Sequence, residues 1–207
     1  MKVLLVNSSG KEKGSTYTVL EYLCAELNKR DVETEILWLG ASVDGGCRGC
    51  KACGKLGKCA FDKDIVNTLA QKAAEADGFI FGSPVHYAAA SGNLTAALDR
   101  AFYSGGRNFA FKPAAAVVAV RRGGSSAALD QISKYFTINN MPIVPSTYWN
   151  MVHSSKPGDA EKDEEGMQTM RNLAQNMAWL LKSIDAGKNA GVEQPVAEKK
   201  VRTDFIR

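Results

Sequence analysis

Five short apolar runs, each followed by a helical pattern, most constrain how this chain folds. The runs have the continuous hydrophobicity of buried β-strands, and the segments between them repeat apolar residues at helical spacing. Strands are predicted at 2–6, 33–39, 78–82, 114–120 and 141–148, and helices at 16–29, 64–76, 92–102, 129–136 and 161–184. This alternation predicts an α/β fold with a mainly parallel sheet, right-handed crossovers and helices on both faces.

The composition is that of an ordinary globular protein. Hydrophobic residues make up 45% of the 207 residues and charged residues 23%, so one sizeable core is expected. The net charge of +4 comes without a long Lys/Arg run, and we expect no nucleic-acid partner. The opening MKVLLVNSSG has neither the pattern of a secretory signal nor the length of a membrane span. We therefore expect a cytoplasmic protein without a membrane partner, in which thiols stay reduced.

The loop after the first strand, NSSGKEKGST, has the features of a phosphate-binding loop. Gly10 and Gly14 allow close backbone approach, hydroxyl residues surround them, and a helix with free N–H groups begins directly afterwards. The loop lacks the Gly-Lys-Ser/Thr triplet of a Walker A motif, and the G-x-G-x-x-G dinucleotide fingerprint is also absent. It therefore indicates a mononucleotide phosphate bound without a metal ion. The simpler alternative is a turn with a helix cap at Ser15.

Two further loops are expected at the same edge of the sheet, because parallel sheets bind ligands outside the carboxyl ends of their strands. The loop GSPVHY follows the third strand, and the loop RRGGSS follows the fourth. Gly123 and Gly124 offer backbone N–H groups, and Arg121 and Arg122 add positive charge, so a planar ring with an anionic reduced form would be stabilised here. His86 is a candidate proton donor; the alternative is a surface or packing residue.

Four of the five cysteines lie in one short run, GGCRGCKACGKLGKCA, as Cys47, Cys50, Cys53 and Cys59. Three uses compete for them. A structural zinc site normally pairs two C-x-x-C units across a longer gap, which this run lacks. A redox-active dithiol needs only one C-x-x-C pair. A [4Fe–4S] cluster takes three ligands from C-x2-C-x2-C, and Cys59 would close the cage. The one arginine and three lysines of the run, Arg48, Lys51, Lys55 and Lys58, favour thiolates in either of the last two cases.

The motifs together resemble those of the flavodoxin-like NADPH-dependent FMN reductases. NSSGKEKGST is similar to that family's G-S-P-R-x-x-G-N-T phosphate loop, and GSPVHY and RRGG match its flavin-ring loops. The segments LDRAFY, YWNMVH and TDFIR extend the resemblance over nearly the whole chain. The cysteine run narrows it to the iron-sulfur flavoproteins and their multimeric-flavodoxin relatives. Gly10, Lys11 and Ser15 stand where the family has proline, arginine and asparagine, and lysine lacks the bidentate fork of arginine.

The resemblance implies a three-layer α/β/α sandwich with a five-stranded parallel sheet of order 2-1-3-4-5, and FMN as prosthetic group. By motif, the phosphate would be held by Ser9, Lys11, Ser15 and Thr16. The ring would be surrounded by Pro84, Val85, His86, Tyr87, Arg122, Gly123 and Gly124. Iron-sulfur flavoproteins carry a [4Fe–4S] cluster on this cysteine spacing, here Cys47, Cys50, Cys53 and Cys59, whereas close relatives have similar loops without a cluster.

The function expected from these features is an FMN-dependent oxidoreductase in which the flavin itself does the chemistry. Electrons would come from NAD(P)H or ferredoxin and pass to a quinone, a metal ion, an oxygen species or a protein carrier. The alternative is a non-catalytic electron carrier or redox sensor that uses the cysteine loop. A homodimer or homotetramer is expected. The chain is divided into an FMN-binding domain at 1–186, with a cysteine-rich insertion at 44–60, and a tail at 187–207 that docks on a partner subunit.

Overall fold

A computed structural model describes residues 1–196 together with residues 198, 201, 203 and 205. Its sheet contains β1 (Lys2–Asn7), β2 (Glu33–Trp38), β3 (Gly78–His86), β4 (Ala89–Ala90), β5 (Ala114–Val120) and β6 (Met151–His153). The order along the sheet is β2-β1-β3-β5-β6, all parallel, and β4 folds back antiparallel onto the end of β3. The predicted α/β class is confirmed. The sheet has six strands instead of five because of β4.

The last strand differs from its prediction at 141–148. Only one bridge forms in that segment, between Ala114 and Ile143, and the regular strand β6 begins later, at Met151. Pro142 and Pro145 flank Ile143, and a proline has no N–H to donate to a strand ladder. The apolar composition of the segment therefore reflects partial burial and not a continuous strand.

Strand β3 continues four residues beyond its predicted end at Gly82. Its pairing with β1 ends at Gly82, whereas its pairing with β5 continues through Ser83 and Pro84. Beyond β1 the strand has a free edge, and a proline is tolerated there. Pro84, Val85 and His86 are therefore strand residues, although the sequence placed them in the following loop.

Helices cover both faces of the sheet. They are α1 (Ser15–Asn28), α2 (Cys53–Leu56), α3 (Val66–Glu75), α4 (Gly92–Gly105), α5 (Ser125–Thr137) and α6 (Glu164–Asn189). One apolar core lies between the sheet and α3, α4 and α5, and a second lies between the sheet and α1 and α6. Strand β5, which is AAAVVAV, contributes to both cores and is buried at every residue. This pattern is typical of a central parallel strand.

Helix α6 runs to Asn189 and so crosses the expected division at residue 186. In the described part of the tail, Val196, Val201 and Phe205 are more than 90% exposed. The prediction that the tail docks on a partner also depends on Ile206, which lies outside the described residues. Within residues 1–196 and the four later described positions, no helix combines the length and apolarity needed to cross a membrane.

Candidate functional site

The strand register brings the predicted site loops to one edge of the sheet. Asn7 at the end of β1 is level with Gly82 of β3, and Pro84 is level with Ala119 of β5. Val120 at the end of β5 pairs with His153 of β6. The segments that follow these positions therefore emerge side by side, as a ligand site of a parallel sheet requires.

The phosphate loop (residues 8–14) is braced by side chains at its base. The amide of Asn7 donates to the carbonyl of Glu12 at 2.8 Å and accepts from the N–H of Ser9 at 3.1 Å. Trp38 from β2 donates its indole N–H to the carbonyl of Ser9 at 2.8 Å. Because the loop is held from inside, its conformation is set before any ligand binds.

The start of α1 offers hydrogen-bonding groups that the protein does not use itself. Gly14 occupies the cap position, and no described side chain caps the helix. The hydroxyl of Thr16 is buried and has no hydrogen-bond partner among the described residues. An orphaned buried hydroxyl is costly unless a ligand satisfies it, and a helix N-terminus attracts anions. The residues present therefore fit the phosphate of FMN.

Gly82 explains how this helix start approaches the sheet so closely. A Cβ atom at Gly82 would lie 2.9 Å from Leu20 Cδ1 and 3.0 Å from the methyl group of Thr16. Only a residue without a side chain allows α1 to pack against β3 at this point. The orphaned hydroxyl of Thr16 is thus placed by a close helix–strand contact at the carboxyl end of the sheet.

The four predicted phosphate residues are brought together, but they are not equivalent. The hydroxyl of Ser9 accepts the backbone N–H of Lys11 at 3.2 Å and so helps to shape the loop. The Lys11 side chain is exposed. The hydroxyl of Ser15 lies 2.8 Å from that of Ser154, a residue after β6 that sequence reasoning missed. Nothing in the local pattern around Ser154 indicated this contact, because it depends on how the last strand is placed.

A strained two-residue turn lies where the sequence predicts the flavin ring. Tyr87 and Ala88 connect β3 to β4, and both have positive φ, 49° and 58°. Non-glycine residues rarely adopt this conformation, and clusters of such strain are typical of functional sites. The Tyr87 side chain is fully exposed.

Gly124 packs directly against this turn. Its φ is +95°, and a Cβ atom there would lie only 2.4 Å from the Cα atom of Ala88. The loops after β3 and β5 are therefore in backbone contact, as a shared ring site requires. A Cβ atom at Gly123, in contrast, would have no described residue within 4 Å.

The remaining predicted ring residues surround the same turn. Pro84 and Val85 are half-buried, whereas His86, Arg122 and Gly123 are exposed. The structure brings them to one edge, and their roles toward a flavin stay predictions. His86 is exposed at the end of β3, and its role as a proton donor stays a prediction.

A buried hydroxyl network connects the two sides of the site. The hydroxyls of Ser8 and Ser91 lie 3.0 Å apart, and the Ser8 hydroxyl donates to the carbonyl of Gly82 at 2.8 Å. The backbone N–H of Ser91 donates to the hydroxyl of Ser83 at 2.9 Å. Ser91 also caps α4 by accepting the N–H of Leu94. Helix α4 is thereby fixed to the edge of the sheet where the ligand loops meet.

The four clustered cysteines line one pocket on the α4 side of the molecule. Cys47, Cys50, Cys53 and Cys59 share its wall with Arg48, Lys51, Phe61, Arg100, Tyr103 and Ser104. All four are free thiols; Cys47 and Cys50 are exposed, and Cys59 is buried. The cysteine loop (residues 44–60) contains the short helix α2, and its bends use positive φ at Gly45, Gly49, Lys51 and Gly57. Among the described residues, no three Cys, His, Asp or Glu side chains are grouped to bind a single metal ion.

Arg100 of α4 anchors this loop, and sequence reasoning missed it. Its guanidinium is only 2% exposed and forms an ion pair with the carboxylate of Asp64. It also donates to the carbonyls of Gly45 and Phe61 and, from Nε, to the sulfur of Cys59 at 3.3 Å. A buried arginine inside LDRAFY is unusual on an otherwise apolar helix face, and that was the available signal.

The ion pair shifts the pKa of both partners. Burial by itself would raise the pKa of Asp64, but the hydrogen bonds from Arg100 and from the N–H groups of Asp44 and Val66 hold that pKa below its ordinary value. Burial likewise opposes charge on Arg100, and the bonds to Asp64 and Cys59 raise its pKa further above its usual range. Both groups are therefore charged at neutral pH.

Comparison with known proteins decides the family. Residues 1–156 match the family described as NADPH-dependent FMN reductase. The chain belongs to this family. An iron-sulfur flavoprotein of Methanocaldococcus jannaschii is 32% identical over 195 residues, which cover 89% of this chain and 99% of the relative. One from Methanosarcina thermophila is 25% identical over 199 residues, covering 91% and 100%. The predicted resemblance is confirmed, and an FMN-dependent oxidoreductase is supported.

Solved structures confirm the flavodoxin-like fold of this FMN reductase family member. RosB with a bound formyl derivative of riboflavin-5′-phosphate superimposes with a TM-score of 0.71 at 13% identity, covering all of this chain and 92% of RosB. An NADH:FMN oxidoreductase in its apo form gives 0.64 at 19% identity, with 86% and 89% covered. An archaeal flavodoxin gives 0.59 at 14% identity, with 88% and 99% covered.

Proposed function

We propose that this protein is an FMN-dependent oxidoreductase whose cysteine pocket holds a [4Fe–4S] cluster that exchanges electrons with the flavin. The observation that carries the proposal is that all four clustered cysteines line a single pocket. A second support is the similarity to iron-sulfur flavoproteins, which extends over about nine-tenths of the chain. In a cluster each thiolate binds its own iron, so the four sulfurs need to surround a pocket and do not need to meet at one ion.

The phosphate loop would bind the FMN phosphate through backbone N–H groups and through the hydroxyls of Ser15 and Thr16. The buried hydroxyl of Thr16 has no partner in the part of the chain that the structure describes, and Ser154 holds the hydroxyl of Ser15 at the helix start. Lys11 is exposed beside the loop and would add a positive charge to the phosphate. The site needs no divalent cation, because the helix start and this lysine supply the positive charge.

The turn at Tyr87–Ala88 and the loop at Arg122–Gly124 would hold the isoalloxazine ring. When bound, FMN supplies both hydride-accepting and single-electron chemistry. N–H groups of Gly123 and Gly124 and the charge of Arg122 would lie where the reduced ring carries negative charge. These residues would orient the ring and favour its reduction, and the strained turn at Tyr87 and Ala88 is typical of such a site.

The cysteine pocket is rich in positive charge, which suits a thiolate-bound cluster. Arg48 and Lys51 line it, and Lys55 and Lys58 are exposed on the same loop. Arg48 is held over the ring of Phe61 at 4.4 Å from the ring centroid. We propose NAD(P)H or a reduced ferredoxin as electron donor. A quinone, a metal ion, an oxygen species or a protein carrier would then accept the electrons.

The test is purification without oxygen, followed by visible spectroscopy and assays for flavin, iron and sulfide. We expect one FMN and about four iron and four sulfide per chain, with broad brown absorbance added to the flavin peaks. Flavin peaks without iron would support an FMN reductase with free thiols. Protein that stays colourless and takes up no FMN would overturn the proposal as a whole.

A non-catalytic electron carrier or redox sensor is the competing function, and it is favoured by the exposure of Cys47 and Cys50. Steady-state kinetics separate the two. The oxidoreductase turns over NAD(P)H, or reduced ferredoxin, with a quinone or oxygen as acceptor. A carrier shows no such turnover and still exchanges electrons with ferredoxin.

We also propose that the protein functions as a homodimer or homotetramer. Tyr87 is fully exposed at the ring site, and Trp179 is 68% exposed on α6. Exposed aromatic residues of this kind are typical of subunit interfaces. Light scattering during size-exclusion chromatography should give a multiple of the 22.3 kDa chain mass, and a 22.3 kDa species would contradict the proposal.

A further inference from the structure

Cys59 is held differently from the other three cysteines of the pocket. Its residue is 8% exposed, whereas Cys47 and Cys50 are open to solvent. The side chain of Asn67 on α3 accepts the N–H of Cys59 at 3.0 Å and donates to its carbonyl at 2.9 Å. Helix α3 therefore fixes the backbone of Cys59.

Arg100 fixes the sulfur of Cys59 from a second helix. Its Nε–H donates to Cys59 Sγ at 3.3 Å, while the ends of the guanidinium are occupied by Asp64 and by the carbonyls of Gly45 and Phe61. With both ends occupied, the guanidinium cannot rotate, and its Nε–H stays directed at the sulfur. Neither Asn67 nor Arg100 contacts the sulfur of any other cysteine in the described hydrogen bonds.

We propose that Arg100 is a positioning residue that holds the Cys59 sulfur as the fixed ligand of the pocket. The three remaining cysteines then close around this fixed point. The inference rests on the proposed function only for the identity of the bound group, because the contact joins two side chains of the protein itself. If the sulfur binds a cluster, a hydrogen bond from a cation to that sulfur would favour the reduced cluster and raise the reduction potential of the cluster.

The experiment compares four variants of the full chain. Arg100→Lys keeps the charge and removes the Nε donor. Arg100→Gln leaves Asp64 as an unpaired buried charge and is at risk of misfolding, so the double variant Asp64→Asn/Arg100→Gln is made beside it. The control is Arg107→Gln. Arg107 is exposed near Gly57 of the same loop, and its loss changes the net charge by the same amount as the loss of Arg100.

The first measurement is the rate at which iodoacetamide alkylates each cysteine, followed by peptide mass spectrometry on reduced, FMN-bound, iron-free protein. We expect the Cys59-to-Cys47 rate ratio to rise at least about tenfold in Arg100→Lys and in the double variant, because the Cys59 sulfur, now buried, is no longer held in the pocket wall and becomes accessible to the reagent. The ratio should not change in Arg107→Gln. Cys24, half-buried on α1 on the other face of the sheet, reports on the fold and should react as in the wild type.

Three outcomes of this measurement overturn the proposal. One is an unchanged ratio in both Arg100 variants. Another is full rescue by lysine, which would show that charge alone is needed. The third is a rise at Cys24 in step with Cys59, which would show a general loss of structure.

The second measurement is the redox titration of protein loaded anaerobically with iron and sulfide. We expect the Arg100 variants to have a lower potential, by at least a tenfold change in the one-electron equilibrium, which corresponds to 59 mV. An unchanged potential in a fully loaded Arg100 variant overturns the inference. A wild-type protein that takes up no iron overturns the cluster in the proposed function, and the alkylation ratio still decides on Arg100.

Discussion

The phosphate loop and the cysteine loop are built in opposite ways. The phosphate loop is short, lies at the carboxyl ends of the central strands, and leads into a helix start where the buried Thr16 hydroxyl has no partner among the described residues. The cysteine loop is a long excursion between β2 and α3, and its few buried polar groups are satisfied by α3 and α4. The phosphate loop is therefore built into the edge of the central sheet, whereas the cysteine loop packs on the outside of α3 and α4. Damage to one should leave the other working.

The largest effect should come from placing a side chain at Gly124, on the ring side of the sheet-edge site. Gly124→Ala puts a Cβ 2.4 Å from the Cα of Ala88 in a left-handed conformation, so we expect a loss of about 3 kcal/mol of unfolding free energy. Bound FMN should also be lost, while the iron content of the cysteine loop is retained. Urea unfolding and cofactor assays measure this.

Gly123→Ala is the control for that substitution. Among residues 1–196 and the later described positions, nothing lies within 4 Å of a Cβ added at Gly123, and its φ is not positive. We expect stability within about 0.5 kcal/mol of the wild type. Equal losses at both glycines would show that the turn contact at Gly124 is not what organises the site.

The next effect separates binding from stability at the phosphate loop. Thr16→Val keeps the shape of a buried side chain and removes its orphaned hydroxyl. FMN affinity should fall about tenfold to hundredfold, because a hydrogen bond to a charged phosphate is lost. The unfolding free energy of the FMN-free protein should not fall. Fluorescence titration with FMN and urea unfolding give the two numbers.

Thr18→Val provides the comparison, since the Thr18 hydroxyl already lies 3.5 Å from the carbonyl of Gly14. We expect its FMN affinity to match that of the wild type. Should Thr16→Val bind FMN normally, the orphaned hydroxyl has no part in phosphate binding.

A smaller effect is expected when the cysteine loop loses the two hydrogen bonds between Asn67 and the backbone of Cys59. Asn67→Ala removes two hydrogen bonds to Cys59, so local opening of residues 45–60 should become easier by about 1–2 kcal/mol. FMN affinity should not change. Hydrogen exchange followed by mass spectrometry resolves the loop. Asn108→Ala, which removes a 2.7 Å bond to the carbonyl of Ala70 outside the loop, should leave that segment unaffected.

The smallest effect is confined to acid. The pKa of Asp64 is lowered in the folded state by its bonds to Arg100 and to backbone N–H groups. Its contribution to stability is thus present above its unfolded pKa of roughly 3.9 and is lost as the pH falls through the lower folded value. The double variant Asp64→Asn/Arg100→Gln, which leaves neither partner as an unpaired buried charge, should therefore flatten the loss of stability between pH 5 and acid, as measured by urea unfolding. Asp62→Asn, at an exposed aspartate paired with Lys58, should follow the wild type; parallel curves for all three would contradict this linkage.

Much of the fold followed from hydrophobic pattern, because buried parallel strands have a strong and continuous signal. The strand at 114–120 was predicted to the residue. The last strand was misplaced because the segment 141–148 is apolar, although Pro142 and Pro145 interrupt it. Only the pairing with β5 shows where β6 begins. Strand β4 consists of only two alanines, which is too short to show a strand pattern in the sequence.

The site was predictable where it depends on local sequence and not where it depends on distant contacts. The glycines, hydroxyls and cysteines are visible as motifs, and the structure brings them to the expected edge or pocket. Ser154 and Arg100 act across 139 and 41 residues of sequence, so only the packed chain reveals them. Residues so far apart in the sequence form no local motif.

The two ends of the cysteine excursion meet at one hydrogen bond, from the N–H of Asp44 to the carboxylate of Asp64 at 3.0 Å. A segment that leaves and returns at the same point is removable in principle: a short turn could replace it without moving any strand. The thiols are in this sense an accessory module on a flavin scaffold. Chains with the same sheet could acquire or shed such a module through a single insertion or deletion, changing their redox partners while keeping their core.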